Sequence, residues 1–213
     1  MNLRDAENDG NPFNNRTVGQ PIYEVALTSS LRKNAKLLLP PGPGRSVVVI
    51  PEAAIGRGRP DVLLVVVSIS SLHSYIHSGL KIYSLNHARE ITSKLLDSNQ
   101  MKKKNPFDGW TRNSFRQFSN SVNNSLAVEA KIKDWKQAVR QASRFKHLAH
   151  RSAIMMPNAR LSERLNPYLK TYDLGLISFS GAEPTWIEPA HKQFLRPENQ
   201  LWLLELAARQ FKN

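Results

Sequence analysis

The chain has 213 residues, 30 of them lysine or arginine against 17 aspartates and glutamates, for a formal charge of +13, and it has no cysteine. That length bounds one substantial domain, with room for an inserted subdomain. The charge points to a polyanionic partner, most commonly nucleic acid, and the missing thiols exclude a disulfide framework and cysteine chemistry.

Residues 1–20 are polar and asparagine-rich, lack the basic-then-apolar order of a signal segment, and read as a flexible arm. Pro21 to Lys36 is expected as a first helix, with Ala26, Leu27, Leu31 and Ala35 giving an approximate helical stripe. Pro40-Pro41-Gly42-Pro43-Gly44 breaks it, and Ser46 to Ile50 follows as a strand. Gly56-Arg57-Gly58-Arg59-Pro60 is a tight basic connection into Asp61 to Val67, a continuous apolar strand of the kind found at a sheet centre. The longest apolar stretch, Val62 to Ile69, is far short of the ~20 residues that cross a bilayer, so the expectation is no membrane partner and a cytoplasmic, reducing, even nucleoid-associated location.

From Ser71 to Ser125 the pattern weakens. Ser84 suits the cap of a helix with Leu85, Ala88, Ile91 and Leu95 on one face, and Lys102-Lys103-Lys104, Gly109-Trp110 and a Ser/Asn-rich stretch come after it. A structureless loop of that length is unusual in a compact domain, so 71–125 is expected to be a small, mostly helical insertion. Gly109-Trp110 leaves open a winged-helix tip; a packing lobe without recognition fits as well.

Leu126 to Ile132 reads as the next strand, and Asp134 as the cap of a long helix reaching about His150. Ala153 to Met156 is a strand, Ala159 to Lys170 a helix, Leu174 to Phe179 a strand and Thr185 to Ile187 a short edge strand. Pro197 opens a terminal helix. The predicted class is α/β, a mixed central sheet flanked by helices, with the insertion between the second and third core strands. Residues 21–70 and 126–213 would form the core.

The chemistry concentrates in two short peptides, Pro60-Asp61 and Glu129-Ala130-Lys131. Glu129 and Lys131 alternate onto one strand face, about 6–7 Å apart along the backbone. Two carboxylates and a lysine on neighbouring strands are a minimal kit for cutting a phosphodiester: the carboxylates hold a hard cation, and the lysine positions and polarises the attacking water. Each residue also has a plainer reading. Asp61 is a turn aspartate after proline, Glu129 an edge-strand glutamate paired with a lysine, and Lys131 a simple phosphate-binding lysine.

The order helix, strand, Pro-Asp strand, Glu-x-Lys strand, helix, strand resembles the PD-(D/E)xK nuclease fold of restriction enzymes, junction resolvases and recombination nucleases, over roughly 21–56, 60–70 and 126–190. The resemblance implies that Asp61 is the central ligand of Mg²⁺ or Mn²⁺ and Glu129 the second. It implies that Glu24 matches the extra acidic residue on the first helix, and that Lys131 acts on the water or on charge growing at the phosphate. Gln141, ten residues beyond Lys131, resembles the glutamine of a Gln-x-x-x-Tyr element that contacts the site; Phe145 stands where the tyrosine is expected. The implied function is a metal-dependent DNA endonuclease, with RNA as an open alternative substrate and a homodimer compatible with double-strand cutting. The rival is a non-catalytic nucleic-acid-binding or regulatory module that kept the fold.

On the helix after the motif, Trp135, Ala138, Val139, Ala142, Phe145 and Ala149 fall within a narrow arc and would face the sheet. Lys133, Lys136 and Arg140, with Arg57 and Arg59 before the Pro-Asp strand, are the candidate phosphate contacts, and the helical row fits a solvated face equally well. The pairs His73/His77 and His147/His150 have metal-compatible spacing, yet no cysteine or clustered carboxylate completes a zinc set. There is no phosphate-cradling Gly-x-x-x-x-Gly-Lys-Ser/Thr loop and no Gly-x-Ser-x-Gly elbow.

Overall fold

Strand periodicity divides the apolar residues of one sheet between two helical layers. The structure, a computed structural model, describes residues 24–55, 58–96, 107–181 and 183–212. Six strands lie side by side in chain order: β1 (Arg45–Pro51), β2 (Val62–Ser68), β3 (Val122–Ala130), β4 (Arg151–Pro157), β5 (Gly175–Phe179) and β6 (Pro184–Glu188). β1, β2 and β3 form an antiparallel meander, β3, β4 and β5 are parallel, and β6 closes the far edge antiparallel. Helices α3 (Ile69–His77), α4 (Leu85–Leu96) and α5 (Arg112–Phe118) lie between β2 and β3. The chain therefore adopts the expected class, a mixed sheet flanked by helices with a mostly helical segment between its second and third strands.

Alternate residues choose the layers. Val62, Leu64, Val66, Leu126, Val128 and Ala130 pack with Leu27 and Leu31 of α1 (Glu24–Lys33) and Ala35 and Leu38 of α2 (Ala35–Leu38). On the opposite face, Leu63, Val65, Val67 and Ala127 meet α3, α4, α5 and the C-terminal helix α8 (Pro197–Lys212) in one apolar cluster. Farther along that face, Ile154, Met156 and Leu176 pack with α6 (Trp135–Ala142) and α7 (Asn166–Tyr172). No helix among the described residues is long and apolar enough to cross a membrane.

Several boundaries differ from expectation for identifiable reasons. β3 begins at Val122, because Asn124 and Ser125 pair with Val66 and Val65. The central strand needs partners along its whole length, which outweighs their poor strand propensity. The helix after Asp134 stops at Ala142 rather than near His150, giving way to a 3₁₀ turn over Ser143–Phe145. Phe145 is nevertheless buried in the sheet cluster. The helix expected over 159–170 starts only at Asn166, since Pro167 is tolerated in a first turn but not in a helix interior. Gly109-Trp110 does not project as a tip: Trp110 is fully buried, its ring 6.0 Å from Tyr75 and 6.2 Å from Phe118. The N-terminal arm, Arg57 and the Lys102-Lys103-Lys104 run lie outside the described residues.

One glycine matters for the site. A Cβ on Gly58 would lie 2.6 Å from Cε1 of Phe145, so the ring rests directly on the backbone that leads into Asp61. Gly58→Ala is expected to cost about 1–3 kcal/mol by overpacking, read by urea unfolding, and clearly less in a Phe145→Leu background. An equal cost in both backgrounds would show that the ring is not the obstacle.

Candidate active site

The register of β2 against β3 brings the two distant acids together. Val62 pairs with Val128 across this antiparallel ladder, and one further step sets Asp61 opposite Glu129. Directly opposed residues have Cβ atoms about 4.5–5.5 Å apart on a shared face. Lys131 continues the alignment, its backbone N–H donating to the carbonyl of Met155 on β4 at 3.0 Å.

Asp61 is held at both ends. Its carbonyl accepts from the N–H of Glu52 at 3.2 Å, and its Oδ2 accepts from the N–H of Ala130 at 2.8 Å. The carboxylate thus caps the end of β3, a role no sequence pattern announces because the donor is main chain.

Lys131 Nζ is the focus of the cluster. It lies 3.0 Å from Glu129 Oε1, 3.8 Å from Asp61 Oδ2 and 3.8 Å from Glu24 Oε1, and donates to the carbonyl of Ala130 at 3.2 Å. Glu24 arrives from the first turn of α1, in the layer on the other face, so three elements meet at one end of the sheet.

Burial is graded across the group. The side chain of Glu129 is 3% exposed, that of Lys131 14%, Asp61 30% and Glu24 51%. Burial pushes the Glu129 carboxyl up to about 6, and the neighbouring charges of Asp61 and Glu24 add to the effect, while Lys131 opposes it. For Lys131, burial alone would lower the ammonium; its bond to Glu129 and the fields of Glu129, Asp61 and Glu24 outweigh that and raise it. The lysine is therefore firmly charged at neutral pH, whereas Glu129 exchanges its proton not far below it.

Glu205 on α8 is a useful contrast. This buried carboxylate accepts from Tyr75 Oη at 2.5 Å, the N–H of Ile82 at 3.1 Å and Arg209 Nε at 2.7 Å. Donors surround it, which suits a structural role. Glu129 instead faces two carboxylates and one ammonium.

The oxygen donors of Glu24, Asp61, Glu129 and the Ala130 carbonyl suit a hard cation such as Mg²⁺ or Mn²⁺. Three carboxylates against one ammonium also leave two negative charges uncompensated. Among the described residues, however, no three His, Cys, Asp or Glu side chains form a ready cation cage. Lys131 stands between the oxygens.

The remaining predicted residues are placed less tightly. Gln141 lies on α6, with its Oε1 buried and without a hydrogen-bond partner, and among the described residues no hydrogen bond joins it to Asp61, Glu129 or Lys131. Arg59, Lys133 and Arg140 are exposed; Lys136 is half-buried, its ammonium 5.8 Å from the Trp135 ring centroid. Neither histidine pair gathers a metal set. His150 is buried against Ser125, Nδ1 to Oγ 2.9 Å, and desolvation, with Lys192 and Arg151 nearby, lowers it to about 4, so it is neutral at pH 7. His73 packs its ring edge against Phe211.

No family model matches the chain, and no curated protein matches it. Among solved structures, a protein of unknown function from Silicibacter pomeroyi is similar at a TM-score of 0.42 and 13% identity, over 87% of this chain and 81% of that one.

Proposed function

We propose that the chain is a metal-dependent nuclease of the PD-(D/E)xK type, acting on DNA. The observation that carries this reading is the convergence of Asp61, Glu129 and Glu24 on the single ammonium of Lys131. Asp61 and Glu129, with Glu24 beside them, would hold Mg²⁺ or Mn²⁺, which supplies Lewis acidity toward the phosphate and makes water a better nucleophile. Asp61, pinned by Ala130 and Glu52, offers its carboxylate in a fixed place without reorganisation. Lys131 keeps a full positive charge beside that place, where negative charge grows on a phosphate under attack. The exposed Arg59, Lys133 and Arg140, with the half-buried Lys136, would bind backbone phosphates and hold the strand in register. A cytoplasmic, nucleoid-associated location and a homodimer belong to the same reading.

One observation favours the non-catalytic alternative: the acids do not already form a cation cage, and Lys131 neutralises part of their charge. Incubation with supercoiled plasmid separates the two. The nuclease reading expects nicking with Mg²⁺ or Mn²⁺, none in EDTA, and at least about a 100-fold loss in Asp61→Asn. Salt-sensitive DNA binding with no nicking at any divalent concentration would leave the alternative.

A further inference from the structure

A second feature lies at the other end of the sheet. The cluster around Lys131 is beside Met155, toward the C-terminal end of β4; the turn carrying His147 precedes that strand's first residue, Arg151. The two positions are separated by about 13 Å of strand. There a pocket of about 350 Å³ opens between α4, the His147 turn and the start of α8, within the ~300–1,000 Å³ range of small-ligand sites. Arg89, His147, Phe194, Arg196, Glu198 and Asn199 line it.

The walls are held by the main chain. Asn199, buried at the first turn of α8, donates to the carbonyl of His147 at 2.7 Å. The N–H of Gln193 donates to the carbonyl of His150 at 2.8 Å. Leu195 is buried, and Phe194 beside it is 89% exposed. A phenyl ring so presented on a braced segment offers a flat apolar face beside cations.

Those cations lack carboxylate partners. Arg89 donates to Asn86 Oδ1 at 3.2 Å, and among the described residues neither Arg89 nor Arg196 forms an ion pair. Glu198 shares the pocket without pairing to either. The first turn of α8 is closed on itself: Pro197 has no N–H, and the N–H groups of Asn199 and Gln200 donate to the Arg196 carbonyl at 3.0 and 3.2 Å, which fixes Arg196 at the rim of the pocket. An aromatic face and two guanidiniums without carboxylate partners together match a base with its phosphate. Single-strand binding proteins combine the same two contacts, stacking and backbone charge.

We infer that this pocket takes one nucleotide unit, the base stacked on Phe194 and the phosphate held by Arg89 and Arg196, and that it anchors a single strand away from the Lys131 cluster. The inference shares with the proposed function only a nucleic-acid partner; it requires no cleavage. Its test is therefore binding in EDTA, using a fluorescent 12-mer single strand, the matching duplex and a nucleoside monophosphate.

Phe194→Ala is expected to weaken single-strand binding about tenfold while leaving duplex binding within twofold. Arg89→Ala/Arg196→Ala is expected to weaken single-strand binding at least as much and to reduce the slope of log K against log salt by about 0.7, one phosphate's worth. Phe194 is exposed, so its variant should unfold like the parent. Weak or no competition by the monophosphate supports the pocket as an anchor for a strand; a monophosphate that displaces the strand at similar concentration overturns the anchoring role and leaves a free-nucleotide site. Single-strand affinity unchanged in both variants overturns the assignment, as does equal weakening of single strand and duplex by the arginine changes with none from Phe194→Ala. Binding is read in EDTA and nicking separately with Mg²⁺, so failure of the pocket and failure of the nuclease reading are separate results.

Discussion

Glu129→Gln is expected to make the metal-free protein more stable at pH 8 by about 2 kcal/mol and, on the proposed nuclease function, to abolish cleavage. The carboxyl titrates at about 6 in the fold against 4.5 in the unfolded chain. The native state therefore holds its proton longer than the unfolded state does. Stability from this group is fully present below pH 4.5 and is lost as pH rises through about 6. A shift of that size is about 2 kcal/mol. Glutamine keeps the shape of the neutral acid, so the gain appears only where the wild-type residue is charged. In a chain of this size the melting temperature should rise about 4–8 °C at pH 8. Urea unfolding in EDTA at pH 4 and pH 8 checks the sign: the two proteins should unfold alike at pH 4 and diverge at pH 8. A glutamine variant less stable at pH 8, or equally improved at both values, would remove desolvated charge as the explanation. A buried acid that weakens its own fold is the stability cost expected where charge is held for a function rather than for packing.

The second large effect is at Lys131. Lys131→Met keeps much of the side-chain volume and deletes the only ammonium among three carboxylates. Removing one member of a buried pair leaves an uncompensated charge, with an expected cost of about 3 kcal/mol at pH 8. The cost should shrink toward pH 5, because Glu129 relieves it by taking a proton. Cleavage, compared at equal folded fraction, should fall about 10²–10⁴-fold. Lys131→Arg should recover most of the stability but little of the activity, because a planar guanidinium cannot place its charge where the compact ammonium sits. Plasmid nicking by Lys131→Met at the wild-type rate would end the assignment of this lysine to the chemistry.

Some of this architecture was readable from residue order. The short, valine-rich run from Val62 to Val67, bounded by Pro60, reads as a strand buried on both faces, and β2 lies there between β1 and β3. Asp134 announces a helix start, and its carboxylate accepts from the N–H of Gln137 at 2.8 Å. Other segments were legible only in part. Asn124 and Ser125 have loop-like chemistry, yet a hydrogen-bonding demand from β2 draws them into β3. Pro167 carried a usable signal that the helix over 159–170 could not run through it. Trp110, beside a glycine, gave no hint whether it pointed out or in; contact with Tyr75 and Phe118 decides that it points in.

The same division runs through the two candidate sites. Local spacing was enough to align Glu129 with Lys131, because alternation along a strand is a property of the backbone itself. Asp61 joins them through a ladder register spanning 68 residues of chain, Glu24 through the seating of α1 on the sheet, and the Phe194 pocket through three segments that share no pattern. Periodicity and charge are written residue by residue. Which distant residues share a few ångströms is set by how whole elements pack, and only the folded chain holds that information.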